Sequence, residues 1–118
     1  MDVYWVSKLL GAALFLARLK PLLERKALVF APRNPRKTWE FMLEEGLDAG
    51  DAYDMIARLK PEHSYSGPEA DRDGSPGNVM VFLYPYAKKM LYIKLKLWSD
   101  ANGDAGAVIS FHEEGEYD

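Results

Sequence analysis

The segment MLYIKLKLW, residues 90–98, alternates without a break. In an extended chain Leu91, Ile93, Leu95 and Leu97 fall on one side and Tyr92, Lys94, Lys96 and Trp98 on the other. A period of two over nine residues specifies a strand in a sheet with one apolar and one polar face. The leucine and isoleucine row is core. The opposite row is either the solvated side of the sheet or a working surface. Periodicity leaves both readings open, because alternating lysines also serve solubility and edge protection.

Two neighbouring runs extend the strand into a sheet. VMVFLY (79–84) and AVISFH (107–112) have strand composition, and the connections PYAKK and SDANGDAG are short enough for hairpins. Residues 79–112 are therefore expected to form an antiparallel meander. In the last run Ala107, Ile109 and Phe111 make one row, and Val108, Ser110 and His112 the other. With the first row on the core, Ser110 and His112 join Tyr92, Lys94 and Lys96 on the open face. In residues 79–84 the rows are Val79/Val81/Leu83 and Met80/Phe82/Tyr84, and the pattern does not choose between them.

The first half reads as helical. Residues 3–26 contain LLGAALFLA, nine residues against the roughly 20 that span a bilayer. Apolar residues continue at Leu19, Leu22 and Leu23 among charges, which describes an amphipathic helix; a signal-peptide core preceded by Lys8 is the alternative reading. Pro21 is expected to kink or restart this helix. ALVFAPR (27–33) is a short extended piece bounded by prolines. TWEFMLEEG predicts a helix capped by Thr38, stopped by Gly46 and presenting Trp39, Met42 and Leu43. A second helix follows, capped by Asp48 or Asp51, with Ala52, Met55, Ile56 and Leu59 at helical spacing, closed by Pro61. Residues 61–78 are rich in Gly, Pro, Ser and charge and are expected to be a polar loop holding at most a short strand near 64–66.

Helices first and sheet afterwards give an α+β fold, with N-terminal helices packed on one face of a small antiparallel sheet. The expected division of this single domain, 1–118, is an N-terminal helix (1–26), a helix pair (35–60), the polar loop (61–78), the meander (79–112) and a tail (113–118). A chain of 118 residues that is 48% hydrophobic suits one core. There is no cysteine, which excludes disulfides, thiolate metal sites and a cysteine nucleophile, and a reducing, cytoplasmic setting is expected. Net charge is −3, unlike a simple nucleic-acid coat protein. The charge is segregated: residues 1–37 hold eight Lys/Arg against two Asp/Glu (+6), 38–78 three against ten (−7), and 79–118 four against six (−2).

Phosphate-loop and GxSxG motifs are absent, and HEEGE (112–116) lacks the second histidine of a helical zinc site. With His63 and His112 the only histidines, no metal or cofactor is expected. The open sheet face suits RNA cleavage through the 2′-hydroxyl, which needs a base, an acid and cations around the phosphate. His112 is a candidate base or acid, histidine having an ordinary pKa of about 6.5. Lys94 and Lys96 are candidate phosphate binders and Tyr92 a hydrogen-bond donor or stacking platform. PEADRD (68–73) is either a solvated charge run or a network in which Arg72, held by Glu69, Asp71 or Asp73, reaches the substrate phosphate. Arg33, Arg36 and Lys37 form a small basic patch. His63, beside Glu62, reads as a surface histidine.

The order of elements, with EEGLDAGDAYDMIARL before the loop, then SYSGPEADRD, Tyr92-Ile93-Lys94 and Ser110-Phe111-His112, resembles the MqsR-like toxins of bacterial type II toxin-antitoxin modules. The likeness covers roughly residues 27–114. It implies a RelE-like α+β fold, mRNA-cleaving endoribonuclease activity without a cofactor, a cognate antitoxin protein as partner, the ribosome as a candidate partner, and no membrane. The family's Tyr-Leu-Lys and Ser-Phe-Lys fall on Tyr92-Ile93-Lys94 and Ser110-Phe111-His112, so the resemblance makes Tyr92 a catalytic-site tyrosine and puts His112 where the family has a catalytic lysine. Its Phe-Tyr-Lys-Ser falls on Ser64-Tyr65-Ser66-Gly67, which leaves Tyr65 as a substrate-binding candidate and the lysine missing. The family's Trp-Gln-Asp strand motif has no counterpart in residues 79–84.

Overall fold

The computed structural model describes residues 3–115. Their elements are α1 (Val3–Glu24), β1 (Leu28–Phe30), α2 (Pro35–Glu45), α3 (Ala49–Ala57), a 3₁₀ turn (Pro61–His63), β2 (Ser64–Ala70), β3 (Asn78–Tyr86), β4 (Lys89–Asp100) and β5 (Gly103–Glu113). The strands form one sheet in the order β1-β5-β4-β3-β2. The fold is α+β, with the N-terminal helices against the sheet. Strands β3 to β5 form the expected antiparallel meander, β2 adds to β3 antiparallel, and β1 runs parallel to β5, so the sheet is mixed. A parallel neighbour requires a crossover. Here everything from α2 to β4 separates β1 from its partner.

The alternating segment occupies the middle of β4, and its two rows separate as the sequence requires. Leu91, Ile93, Leu95 and Leu97 are buried in the main core with Phe15, Leu19, Leu22, Phe41, Ile56 and Phe111. Each such aliphatic side chain stabilises the fold by about 1.5–3 kcal/mol relative to exposure. Register settles the open question in β3. Met80 lies opposite Leu95 and Phe82 opposite Ile93, and directly paired residues share a face, so Met80, Phe82 and Tyr84 turn to the helices.

α1 presents Ala12, Phe15, Leu19 and Leu22 to the sheet and runs unbroken through Pro21 to Glu24. Of the expected kink or restart, the restart does not occur, since a proline in the last turn removes one backbone bond near a free end. α2 starts earlier than expected. Asn34 is its cap, accepting from the Lys37 backbone N–H at 3.3 Å, and Pro35 occupies the first turn. Thr38 is accordingly inside the helix and buried, and the inward face is Thr38, Phe41 and Met42, while Leu43 is 83% exposed. Gly46 closes the helix in the left-handed region, φ 68°. Both proposed caps of α3 act together. Asp48 accepts from the Asp51 N–H at 2.8 Å and Asp51 from the Asp48 N–H at 2.9 Å.

Residues 61–78 hold more structure than a polar loop. Seven of them form β2 at the sheet edge, with irregular pairing to β3. Backbone pairing needs no apolar side chain, and a polar, irregular strand is a common way to end a sheet. Gly67, φ 91°, fits where a side chain would not, since an added Cβ would lie 2.6 Å from the Val79 carbonyl oxygen. The expected tail begins inside β5 and continues as a turn at Glu114 and Gly115. Its residues 116–118, like residues 1–2 of the N-terminal segment, lie outside the described residues. Among the described residues no helix is long and apolar enough to cross a membrane.

Candidate functional site

The sheet face away from the helices carries the second row of β4. Tyr92 pairs with His112 and Lys94 with Ser110 across to β5. The next pair is Leu95 with Val108, so Ile109 is an extra residue on β5. This bulge restarts the alternation. The expected continuous row Ala107/Ile109/Phe111 is broken by it. Phe111 and Val108 face the helices, whereas Ala107 and Ile109 lie on the open face with Val79 and Trp98. Ser110 and His112 precede the disturbance when read from the Tyr92 end, and they share the face of Tyr92 and Lys94 as the alternation requires.

His112 and Tyr92 are stacked, with ring centroids 5.2 Å apart and planes 11° from parallel. The imidazole Nδ1 is 2.9 Å from the Glu113 carbonyl oxygen. A carbonyl only accepts, so Nδ1 carries the hydrogen and donates, and in the neutral ring Nε2 is the basic nitrogen. His112 also borders a cleft of about 160 Å³ between α2 and the end of β5, lined by Lys37, Glu40, Phe41, Glu44 and Glu113. Lys94 is half-buried between Val81 and Ser110 and, among the described residues, makes no ion pair. It lies diagonally from His112, a separation of about 7–8 Å between strand positions.

Lys96 behaves differently. It is 8% exposed, and its ammonium lies 2.7 Å from Asp71 Oδ2 and donates to Ser75 Oγ. Arg33 joins the same carboxylate. Nη1 donates to Asp71 Oδ1 at 3.0 Å, Nη2 donates to Oδ2, and Nη2 also lies 3.3 Å from Asp73. The Arg33 fork holds the Asp71 carboxyl well below the usual carboxylate range, with Lys96 the second cause, and the Asp71 carboxylate in turn raises Arg33. Asp73 is lowered by the Ser75 hydroxyl and backbone N–H.

Topology gives this cluster its meaning. The chain after β1 stays on the β5 edge, with the Ala31 and Arg33 N–H groups bonded to the Val108 and Ile109 carbonyls. Asp71 follows β2 on the opposite edge. Arg33 and Asp71 therefore meet above Lys96 of the central strand and fasten the 71–77 segment over one end of the open face. Gly77 makes that closure possible. Its φ is 115°, and a Cβ there would lie 2.5 Å from the Leu97 carbonyl oxygen.

Of the six residues singled out from sequence, the structure brings His112, Tyr92 and Lys94 together. Lys96 lies on the same face, but its charge is committed to Asp71. The PEADRD network exists with Arg33 in the role expected of Arg72; Arg72 is exposed and, among the described residues, forms no ion pair. Asp71 reaches away from its sequence neighbour because the bidentate fork comes from the far edge of the sheet. Tyr65 is 54% exposed on β2, two strands from Tyr92, and its carbonyl accepts from Lys8 at 3.4 Å. His63 accepts from the Lys60 N–H and packs edge-on against Tyr84, apart from His112. Among the described residues no group of three or more His, Asp or Glu is placed to hold a metal ion. No protein-family model, curated protein or solved structure matches the chain.

Proposed function

We propose that the protein is an mRNA-cleaving endoribonuclease, the toxin of a type II toxin-antitoxin pair of the MqsR-like kind, acting in the cytoplasm without a cofactor. The observation that carries this reading is the Tyr92–His112 stack, in which the Glu113 carbonyl fixes the imidazole so that Nε2 is the basic nitrogen. His112 Nε2 takes the proton of a 2′-hydroxyl, the 2′-oxygen bonds to phosphorus, and the bond to the 5′-oxygen breaks. That oxygen leaves with a proton from the imidazolium or water. The products are a 2′,3′-cyclic phosphate and a 5′-hydroxyl. Lys94 supplies positive charge to the phosphate, and Tyr92 holds the imidazole plane and offers a surface for an unpaired base. Lys96 acts indirectly, by fastening the 71–77 segment beside the site. Arg72 and Tyr65 are outer contacts for the RNA strand. The partners on this reading are RNA and a cognate antitoxin protein, with the ribosome a candidate partner.

A second reading is a non-catalytic module that binds RNA or protein on the same face. The carboxylates of Glu40, Glu44 and Glu113 around the His112 cleft, together with the net charge of −3, favour its protein-binding form by opposing a phosphate there. Incubating purified protein with a defined single-stranded RNA separates the two. Fragments ending in cyclic or 3′ phosphate support the nuclease. Saturable, salt-sensitive binding with no product at any pH supports the module instead.

A further inference from the structure

α1 is apolar on two opposite sides. The side carrying Ala12, Phe15, Leu19 and Leu22 is buried against the sheet. Directly opposite, Val3, Val6, Leu10 and Leu14 are 79, 48, 58 and 61% exposed, and Ala17 and Pro21 continue the same stripe, also exposed. The spacing of three, four, four, three and four residues keeps these six side chains on one face for five turns. A helix that is apolar all round is ordinarily covered all round.

The stripe is uncharged, and the arrangement of its neighbours keeps it so. From Val3 to Ala17 the one charged residue is Lys8. Its ammonium is turned toward the Tyr65 carbonyl (3.4 Å) and the Trp5 ring (5.1 Å). Arg18, the next cation, is turned to Asp104 at 3.0 Å. A lipid surface would call for several exposed Lys and Arg flanking the apolar side, and here Lys8 and Arg18 are turned to other residues of the chain, which leaves Lys20 as the exposed cation beside the stripe. A second copy of the stripe meets no such objection, since there is no charge for it to repel.

We infer that α1 pairs with α1 of a second copy of this chain in a weak two-fold dimer, the helices crossing antiparallel about Leu10. Val3 lies seven residues before Leu10 and Ala17 seven after. A two-fold axis at Leu10 therefore sets the Val3 and Val6 of each copy against the Ala17 and Leu14 of the other. Lys20 and Glu24 fall beyond the partner's end of the contact, so no charge is buried. At the exposures above the stripe leaves on the order of 500 Å² accessible per chain, so two copies would bury at most about 1,000 Å², the lower bound for a specific interface and typical of weak, reversible association. The Tyr92–His112 face is on the opposite side of the sheet and stays open in such a dimer.

Sedimentation equilibrium on the full chain from about 1 to about 300 µM tests this across the expected micromolar range. A concentration-dependent dimer is expected, weakened at least about tenfold by Leu10→Asp and by Ala17→Arg, with far-UV circular dichroism unchanged. Because the chain has no cysteine, Leu10→Cys provides a second readout: mild oxidation should yield a cross-linked dimer, whereas Leu43→Cys, on an exposed face of α2, should not. A chain that is monomeric throughout the range overturns the inference. So does a dimer indifferent to both charge substitutions, equal cross-linking at both cysteines, or a monomer that partitions into anionic vesicles through Leu10.

Discussion

The open face of the sheet has two halves built from the same alternating strand. At one end Lys96 is sealed under the 71–77 segment by Asp71, Arg33 and Ser75, above the apolar patch of Val79, Ala107 and Ile109. At the other, Tyr92, His112, Lys94 and Ser110 stay partly exposed, the two rings stacked and Lys94 without an ion pair among the described residues. Lys94 and Lys96 are two residues apart and chemically identical. What separates them is whether a carboxylate from a distant segment reaches the ammonium, so a polar row in a strand is a set of separate fates and each is decided by tertiary neighbours.

The comparison breaks most visibly at His112. If the open half is the working half, His112→Ala should lower RNA cleavage by about 100- to 10,000-fold while thermal unfolding stays within a few degrees of the parent. Expression in growing cells should arrest growth for the parent and not for the variant, and full toxicity with undiminished cleavage would remove His112 from the mechanism. The closed half should answer in stability. Asp71→Ala leaves the Arg33 and Lys96 cations facing each other under the loop, and a fall in Tm on the order of 10 °C is expected. Replacing the whole cluster by Arg33→Met, Asp71→Leu and Lys96→Met should recover most of it, because no buried charge is then left unpaired.

Acid sharpens the same contrast. The Asp71 carboxyl is depressed in the folded chain, so its contribution is complete above the unfolded carboxylate pKa of about 3.9 and fades as pH falls through that value toward the folded one. Unfolding midpoints measured from neutral pH downward should show a drop below about pH 4 that Asp71→Asn makes shallower. Asp104, lowered by Arg18, keeps part of the acid sensitivity in that variant. Smaller effects return to the open half. Tyr92→Ala should weaken binding of single-stranded RNA by about 5- to 150-fold and Tyr92→Phe very little, because stacking needs the ring and not the hydroxyl. The smallest is Lys94→Ala, expected to reduce the salt dependence of RNA binding by about one phosphate contact.

Much of the fold is legible in the sequence because its signals are local. The Leu91/Ile93/Leu95/Leu97 row, the Gly46 stop and the Asp48/Asp51 caps each depend on residues within a few positions of one another. The illegible parts are those that depend on distant backbone. β2 has no apolar alternation to announce it, since an edge strand pairs through its main chain. The β5 bulge at Ile109 leaves the composition of AVISFH unchanged while reversing which of residues 107–109 face the core. On the candidate site, periodicity placed Tyr92, Lys94, Ser110 and His112 on one face, and the stack bears that out. It also placed Lys96 there as an equal of Lys94, and nothing within several residues of either distinguishes them.

By itself the sequence determined that there would be helices on a sheet, which row of the central strand is core, and that a histidine and a tyrosine would share the other face. Only the tertiary structure decided that Arg33, 38 residues before Asp71, crosses from one edge of the sheet to meet it, and that Lys96 is thereby closed off while Lys94 is left open. Alternation and capping arise from the geometry of neighbouring peptide units, so they are written in short stretches of chain. A charge's partner is set by where the folded backbone carries it, and that follows from the packing of the whole molecule.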